Sequence, residues 1–396
     1  MANKVFVTGM GIMSAIGNSV EETLYSLSNN KSGIEKIRYL ETSHKDNFVV
    51  GEVKLSNTEL IERAGIGNYN RTTLLGYLAV KEALKMASIT DMKEARTGFI
   101  SSTTVAGMCH TELLYKGFFE GKNNQNFIDY HLNGVSTNDI AGLFGISDYV
   151  TSISTACSSA ANAMMLGARL IKNNILDRVI VGGVDPLSKF TLNGFNTLMI
   201  LDSEWSRPFD ENRKGLNLGE GAAFLVLESE KCVKEKNKNI LAQLIGYGNA
   251  NDAFHQTASS AEGYGALLAM QKAFKVAGIT PDKIDYINAH GTGTPNNDAS
   301  EGIAMQTIFG NHVPKFSSTK AFTGHTLAAA AAVEAVISVL AIQNRMIFPC
   351  LNRKEQMKDL TITPVDTLEK NVSLDYVMSN SFGFGGNCSS LIFAKN

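Results

Sequence analysis

Thr151-Ser152-Ile153-Ser154-Thr155-Ala156-Cys157-Ser158-Ser159-Ala160-Ala161 changes character part-way along. Residues 149–154 alternate and carry β-branched side chains, the pattern of a strand. Residues 160–171 are small or apolar at helical spacing, the pattern of a buried helix. Cys157 lies at the switch. A helix start gathers free backbone N–H groups and the positive end of the peptide dipole. Both favour a thiolate over a thiol. The segment therefore offers a reactive thiol. Taken alone, it equally suits a buried structural cysteine, the commoner use of a lone one.

The second half repeats the pattern. Phe316-Ser317-Ser318-Thr319-Lys320-Ala321 again runs from strand to Ser/Thr turn, and an Ala-rich apolar helix over 326–342 follows. Few polar residues interrupt either helix, so both are expected to be buried on all sides. Strands are expected at 4–8, 97–103, 177–184, 222–228, 241–248, 284–289, 376–379 and 389–393. Helices are expected at 71–86, 136–144, 263–277 and 300–309. Residues 116–130 read as a loop with short helices, and 203–221 as a turn-rich loop. Alternating strands and helices imply an α/β class with mostly parallel sheets. A duplicated unit, 1–240 and 241–396, with its central helices between two sheets accounts for the repeat. The lysine-rich run 229–240 marks the boundary.

The chain has 396 residues, 44% of them hydrophobic and 19% charged, with a net charge of −2. No global field draws it to nucleic acid or to a membrane surface. Its five cysteines are scattered and form no CxxC pair, which argues against a zinc site or a disulfide framework and suits a reducing cytoplasm. The chain enters its first strand without an apolar leader. The longest apolar run, 327–342, contains Glu334 and reads as a core helix, so no membrane span is expected. Gly9-Met10-Gly11 is followed only by Gly17, so a dinucleotide fingerprint fails and no cofactor is expected.

His290 lies in Asn288-Ala289-His290-Gly291-Thr292-Gly293-Thr294, in a loop after a strand, where α/β sheets place their sites. His325 lies in Lys320-Ala321-Phe322-Thr323-Gly324-His325, at the expected start of the Ala-rich helix. The helix dipole there disfavours an imidazolium. Each histidine alone is more simply a structural side chain. With Cys157 they form three reactive groups at strand-to-helix or strand-to-loop junctions. A cysteine protease would need one base and one orienting Asn or Asp. Two histidines serving one thiol suggest that a thioester forms on Cys157 while a second thioester is activated beside it. Two N–H donors could then hold the second carbonyl oxygen as an enolate develops, without a metal. Lys320 and Glu334 are each costly to bury alone, so they are expected to pair. That pair would set the field around His325, or serve as a plain structural salt bridge. The loop Ser379-Asn380-Ser381-Phe382-Gly383-Phe384-Gly385-Gly386-Asn387 could bring an N–H beside that of Cys157 as an oxyanion hole, or be only a turn.

These segments resemble the β-ketoacyl-[acyl carrier protein] synthases of the elongating type, within the thiolase superfamily. The resemblance runs end to end. It includes Val7-Thr8-Gly9-Met10-Gly11, Thr155-Ala156-Cys157-Ser158-Ser159, Ser206-Arg207-Pro208-Phe209-Asp210, Gly219-Glu220-Gly221-Ala222, the His290 and His325 motifs, and Phe382-Gly383-Phe384-Gly385-Gly386. It implies a five-layered α-β-α-β-α fold, usually dimeric, acting on acyl and malonyl groups held on an acyl carrier protein. Cys157 would accept the acyl group. His290 and His325 would drive decarboxylation, supported by Lys320 and Glu334. Phe384 would be the gating phenylalanine, and its N–H would join that of Cys157. Thr292 and Thr294 would contact the pantetheine arm. Phe195, Met108 and Cys109 would line the acyl pocket. The chain departs from the fatty-acid pattern in two places. Residues 196–206 carry no basic residue for docking the carrier, and Ala106-Gly107-Met108-Cys109 replaces the usual bulky aliphatic segment. These departures, with Gly293, point toward polyene or polyketide-like chains. One rival is a chain-length-factor-like partner subunit, which would lack the nucleophile. Another is a thiolase, which would need a second cysteine in a context that neither Cys350 nor Cys388 has.

Overall fold

A computed structural model of the chain describes residues 4–122 and 125–396. Residues 123 and 124 of the expected 116–130 loop lie outside the described residues, as do 1–3. The longest strands are β1 (Val5–Ser14), β2 (Thr97–Ser102), β3 (Tyr149–Ile153), β4 (Arg178–Asp185), β5 (Gly221–Ser229), β6 (Ala242–Asn251), β7 (Tyr286–Asn288), β8 (Lys315–Ser317), β9 (Tyr376–Gly383) and β10 (Asn387–Ala394). They join in one sheet, in the order β8-β7-β9-β10-β6-β1-β5-β4-β2-β3. The first half supplies β1-β5-β4-β2-β3. Adding five to each number gives the order of the second half, β6-β10-β9-β7-β8.

The pairings repeat as well. β1–β5 and β5–β4 are antiparallel, while β4–β2 and β2–β3 are parallel. Their counterparts β6–β10, β10–β9, β9–β7 and β7–β8 follow suit. Half of the pairings in each half are thus antiparallel, which corrects the expectation of mostly parallel sheets. For β9 and β10 the reason is local, since the Gly-rich loop between them is a tight turn, which can only join antiparallel neighbours, whereas β4 and β5 are joined by the long 186–220 segment. The two halves meet where β1 pairs with β6, through Phe6–Gln243 and Val7–Ala242.

The helices are α1 (Val20–Ser28), α2 (Asn57–Ala64), α3 (Arg71–Met86), α4 (Met108–Phe119), α5 (Gly134–Phe144), α6 (Ser159–Lys172), α7 (Lys189–Thr197), α8 (Glu230–Glu235), α9 (Tyr264–Ala277), α10 (Pro295–Phe309), α11 (Lys320–Thr323) and α12 (Ala330–Asn344). On the outside, α3 covers β1 and β5, and α9 covers β6 and β10. Between the two halves of the sheet lie α6 and α12, which touch each other and strands of both halves. This is the five-layered α-β-α-β-α arrangement. Small side chains make the central layer possible. Every residue of α12 from Ala330 to Ile342 is buried, with Glu334 its one charge. Each of Val336, Ile337 and Leu340 contributes about 1.5–3 kcal/mol by leaving water. The run Leu327–Asn344 is long and apolar enough to cross a membrane, yet 89% of it is buried inside the protein. It is the core helix expected from Glu334.

Several elements depart from expectation: α2 was not foreseen, α10 begins five residues early, and two more bear on the site. Helix α4 begins at Met108, before the expected loop. Helix α7 was not expected at all. Its Lys-Phe-Thr-Leu-Asn-Gly-Phe-Asn-Thr sequence is poor in helix formers. Tertiary context overrides that weakness. Ser188 Oγ accepts from Thr191 N at 3.1 Å as an N-cap, and Thr191 and Leu192 are buried.

Candidate active site

Cys157 occupies the turn between β3 and α6. The preceding residue, Ala156, has φ of +53°, a left-handed conformation costly for any residue with a Cβ. Hydroxyls hold the turn closed. Ser158 Oγ donates to Thr155 O at 2.8 Å, and Ser159 Oγ donates to Ala156 O at 2.5 Å. The strained turn presents the thiol toward the second half of the chain. There Gly383 ends β9 so close that a Cβ on it would stand 2.9 Å from Cys157 N. The N–H of Phe384 then donates to the Cys157 sulfur. Burial pushes the thiol up to about 11, although Lys320 and the Phe384 N–H pull the other way. The helix start was expected to lower it. Here the loss of water outweighs the dipole.

His325 Nε2 lies 3.0 Å from Cys157 Sγ. The residue does not open the Ala-rich helix as expected. It stands before a short 3-10 turn, Leu327–Ala329, in an extended stretch paired with Leu218. Its N–H donates to Asn217 O at 2.8 Å, which fixes the backbone. His290 follows β7, and its ring meets that of His325 edge-on, with centroids 5.3 Å apart. Both imidazoles are held well below the usual histidine range, first by burial and then by the charge of Lys320. They are neutral at physiological pH for that reason.

Lys320, the first residue of α11, organises this corner. Its Nζ donates to His290 O at 2.5 Å, reaches His290 Nδ1 at 3.1 Å, and pairs with Glu334 Oε1. Burial raises the Glu334 carboxyl, and Ser381 Oγ donates to its other oxygen at 3.3 Å. An ammonium can only donate, so His290 Nδ1 must accept. The ring proton then sits on Nε2, which becomes a hydrogen-bond donor. Cys157, His290 and His325 bring three potential metal-ligand atoms within 4.8 Å of one another. With Nε2 protonated, however, His290 donates rather than ligates.

Two cavities meet at Cys157. One, of about 390 Å³, is the more polar of the two, with Thr292, Thr294, Asn296, His290 and His325 set among apolar residues in its wall. The hydroxyls of Thr292 and Thr294 lie 2.8 Å apart. The other, of about 520 Å³, is apolar and includes Val105, Met108, Leu198 and Leu327. Phe195 and Phe384 border both, stacked with ring centroids 5.7 Å apart and planes at 19°. One thiol thus faces a channel studded with polar groups, hereafter the polar channel, on one side and an almost wholly apolar chamber on the other.

Residues 2–232 match the family model "Beta-ketoacyl synthase, N-terminal domain", and residues 241–354 match "Beta-ketoacyl synthase, C-terminal domain". The chain belongs to the β-ketoacyl synthase family. The synthase is 33% identical to 3-oxoacyl-[acyl-carrier-protein] synthase 2 of Staphylococcus aureus, over 99% of this chain and 98% of that one. Among solved structures it is similar to the ishigamide ketosynthase/chain length factor, with a TM-score of 0.92, 27% identity and full coverage of both chains. It is also similar to a ketosynthase in complex with its chain length factor from Xenorhabdus doucetiae. There the TM-score is 0.84 and the identity 30%, over 100% of this chain and 98% of that one.

Most site residues expected from the sequence converge in the synthase. Cys157, His290, His325, Lys320, Glu334 and Phe384 form one cluster, and Thr292, Thr294, Phe195 and Met108 line the two cavities. Cys109 does not. It faces a separate cavity of about 300 Å³ on the other side of α4, beside Arg71 and Glu220. Successive helical residues point about 100° apart, and here that turn leaves Met108 on the apolar cavity and Cys109 on the other. Sequence reasoning missed three buried carboxylates. Asp185, at the end of β4, accepts from Thr103 Oγ1 at 2.5 Å, Thr104 Oγ1 at 2.6 Å, Val105 N at 3.1 Å and Ala328 N at 2.9 Å. It ties the wall of the apolar cavity to the turn after His325. Glu301 accepts from His290 N at 2.9 Å and Gly291 N at 2.8 Å, and burial lifts it to about 7. Asp298 accepts from Phe209 N at 2.8 Å and Gly293 N at 3.2 Å. An acid closing the apolar strand Val179–Val184 was the one visible sign of Asp185.

Proposed function

We propose that the synthase catalyses a decarboxylative Claisen condensation between an acyl group on Cys157 and a malonyl group on an acyl carrier protein. The observation that carries this reading is the pair of unlike cavities sharing one thiol. In the first step Cys157 Sγ attacks the carrier thioester. The N–H groups of Cys157 and Phe384 receive the oxyanion. The thiol proton passes by way of His325 Nε2 to the departing pantetheine sulfur, and the acyl chain lies in the apolar chamber.

The malonyl thioester then enters by the polar channel. His290 and His325 hold its carbonyl oxygen while the carboxylate leaves as CO₂ and the electrons of that bond form an enolate. The enolate carbon attacks the Cys157 thioester. Collapse of the adduct breaks the C–S bond, releases the 3-oxoacyl product and leaves a thiolate, which takes one proton from water. His325 Nδ1 is buried and unpartnered among the described residues, so neither tautomer is locked and the ring serves both steps.

The site needs no cofactor in this reading. Residues 1–240 bring the nucleophile and 241–396 bring the histidines, Lys320 and the Gly-rich loop, as two copies of one unit. A dimer, with itself or with a related subunit, is supported by the open sheet edge at β3 and by the apolar side chains that α4 presents to solvent. In a mixed dimer this chain is the catalytic subunit, because a chain-length-factor-like role needs no Cys157. Five free cysteines favour a reducing cytoplasm.

The test is to incubate the protein with acyl- and malonyl-carrier protein and follow both by mass spectrometry. The expected result is acylation at Cys157 and a 3-oxoacyl product. Absence of both in a folded protein would refute the reading. Cys157→Gln is expected to abolish condensation and keep malonyl decarboxylation.

A further inference from the structure

Lys214 stands on the solvent side of the polar channel that ends at Cys157. Among the described residues no Asp or Glu lines this channel, and the other basic side chains in its wall are the two neutral histidines. Lys214 brings the one fixed positive charge among the described lining residues. No carboxylate pairs with its ammonium among the described residues.

Its position is fixed by its neighbour. Arg213 Nε donates to Thr294 O at 3.3 Å, Nη2 to Pro295 O at 2.8 Å and Nη1 to Asp210 O at 2.9 Å. Those bonds staple the 210–214 turn to the loop that carries Thr292 and Thr294. The guanidinium is used up by them, and the next residue is left facing the channel mouth. The neighbouring basic group is also engaged, since Arg207 pairs with Glu204 at 3.0 Å. Residues 196–206 hold two acids, Asp202 and Glu204, and no base.

A thioester delivered along this channel has its reactive end at Cys157 and its pantetheine amides beside Thr292 and Thr294. The phosphate that joins pantetheine to its carrier then falls at the mouth. We propose that Lys214 binds the phosphate of the phosphopantetheine arm. This rests on the condensing reading above. Because residues 196–206 carry no base, the contact recognises the arm itself rather than the protein that bears it.

The experiment compares malonyl-carrier protein, malonyl-phosphopantetheine and phosphate-free malonyl-pantetheine as substrates, with a pre-acylated enzyme. Lys214→Ala is expected to raise KM about fivefold for the two phosphorylated substrates, the scale of an exposed ion pair. Lys214→Glu is expected to raise it further, and Lys214→Arg to restore it. KM for malonyl-pantetheine and kcat for all three should stay unchanged. An equal change with the phosphate-free substrate, or no change with the phosphorylated pair, overturns the proposal while the condensing reading stands. A wild type inert toward all three substrates would instead sink the condensing reading, and this proposal with it.

Discussion

At the scale of single residues, the thiol and the two imidazoles are set by burial, not by the helix dipole. Cys157 sits near 11 because its sulfur is out of water. Alkylation of the resting enzyme by iodoacetamide should therefore keep accelerating from pH 7 to pH 10. A plateau below pH 8 would show a resting thiolate instead. Lys320 lowers the thiol and pairs with Glu334, so Lys320→Met should slow alkylation further. It should also cost about 3–5 kcal/mol in urea unfolding, the loss expected when one partner of a buried pair is removed. Both histidines lie well below their usual range. Decarboxylation by Cys157→Gln should accordingly stay flat from pH 8 down to about pH 6, where unperturbed imidazoles would already be charging. The sequence made Cys157, His290, His325 and Lys320 legible because each stands in a short run rich in Gly, Ser or Thr. Asp185 and Glu301 were not legible. Asp185 is met by hydroxyls and N–H groups from segments some 80 and 143 residues away, and Glu301 by the backbone N–H groups of His290 and Gly291, and neither kind of partner leaves a residue signature beside the acid.

At the scale of elements, one contact decides whether the two halves make a site. Gly383 lets β9 approach the Cys157 turn. A Cβ there would meet Cys157 N at 2.9 Å and Ala156 Cβ at 3.1 Å, and neither atom can move aside without disturbing the strained turn. Gly383→Ala should displace the Phe384 N–H and slow acylation of Cys157 by at least about 100-fold, the usual effect of losing one oxyanion donor. Placed in the Cys157→Gln background, the same change should leave decarboxylation within about twofold. Equal loss of both activities would mean that the loop supports the histidines as well. The strands and the two buried helices were readable from period and composition, because burial on both sides selects small and β-branched residues. Helix α7 was not readable, because its helicity is imposed by Ser188 and by the packing of Leu192. Nor was the antiparallel course of β5, which depends on how the long 186–220 segment folds back.

At the scale of the whole molecule, the apolar chamber and the surface around it are related. Leu113 is 62% exposed and Phe119 70% exposed on α4, and Phe190 at the rim of the chamber is 66% exposed. In the proposed dimer these exposed apolar side chains would be the ones to bury. The double substitution Leu113→Asp with Phe119→Asp should shift sedimentation from a two-subunit to a one-subunit species, with the circular dichroism spectrum unchanged. A wild type that sediments as a single subunit at micromolar concentration would remove the argument for this surface. The repeat of five strands was legible only in outline from the sequence. Two strand-turn-helix segments matched, but their flanking strands have diverged beyond recognition, and the shared order emerges from pairing alone.

The central layer has a consequence for biosynthesis. Helix α6 is finished before residue 240, but one side of it is covered by α12 and by β6 and β10, which are translated later. At about 5–20 residues per second, the remaining chain takes roughly ten to thirty seconds to emerge from the ribosome. Through that interval the nascent first half carries a wide apolar face and an unpaired edge on β1 with nothing to close them. The feature that lets two halves share one thiol also makes the unfinished protein adhesive, and ties its yield to the pace of its own translation.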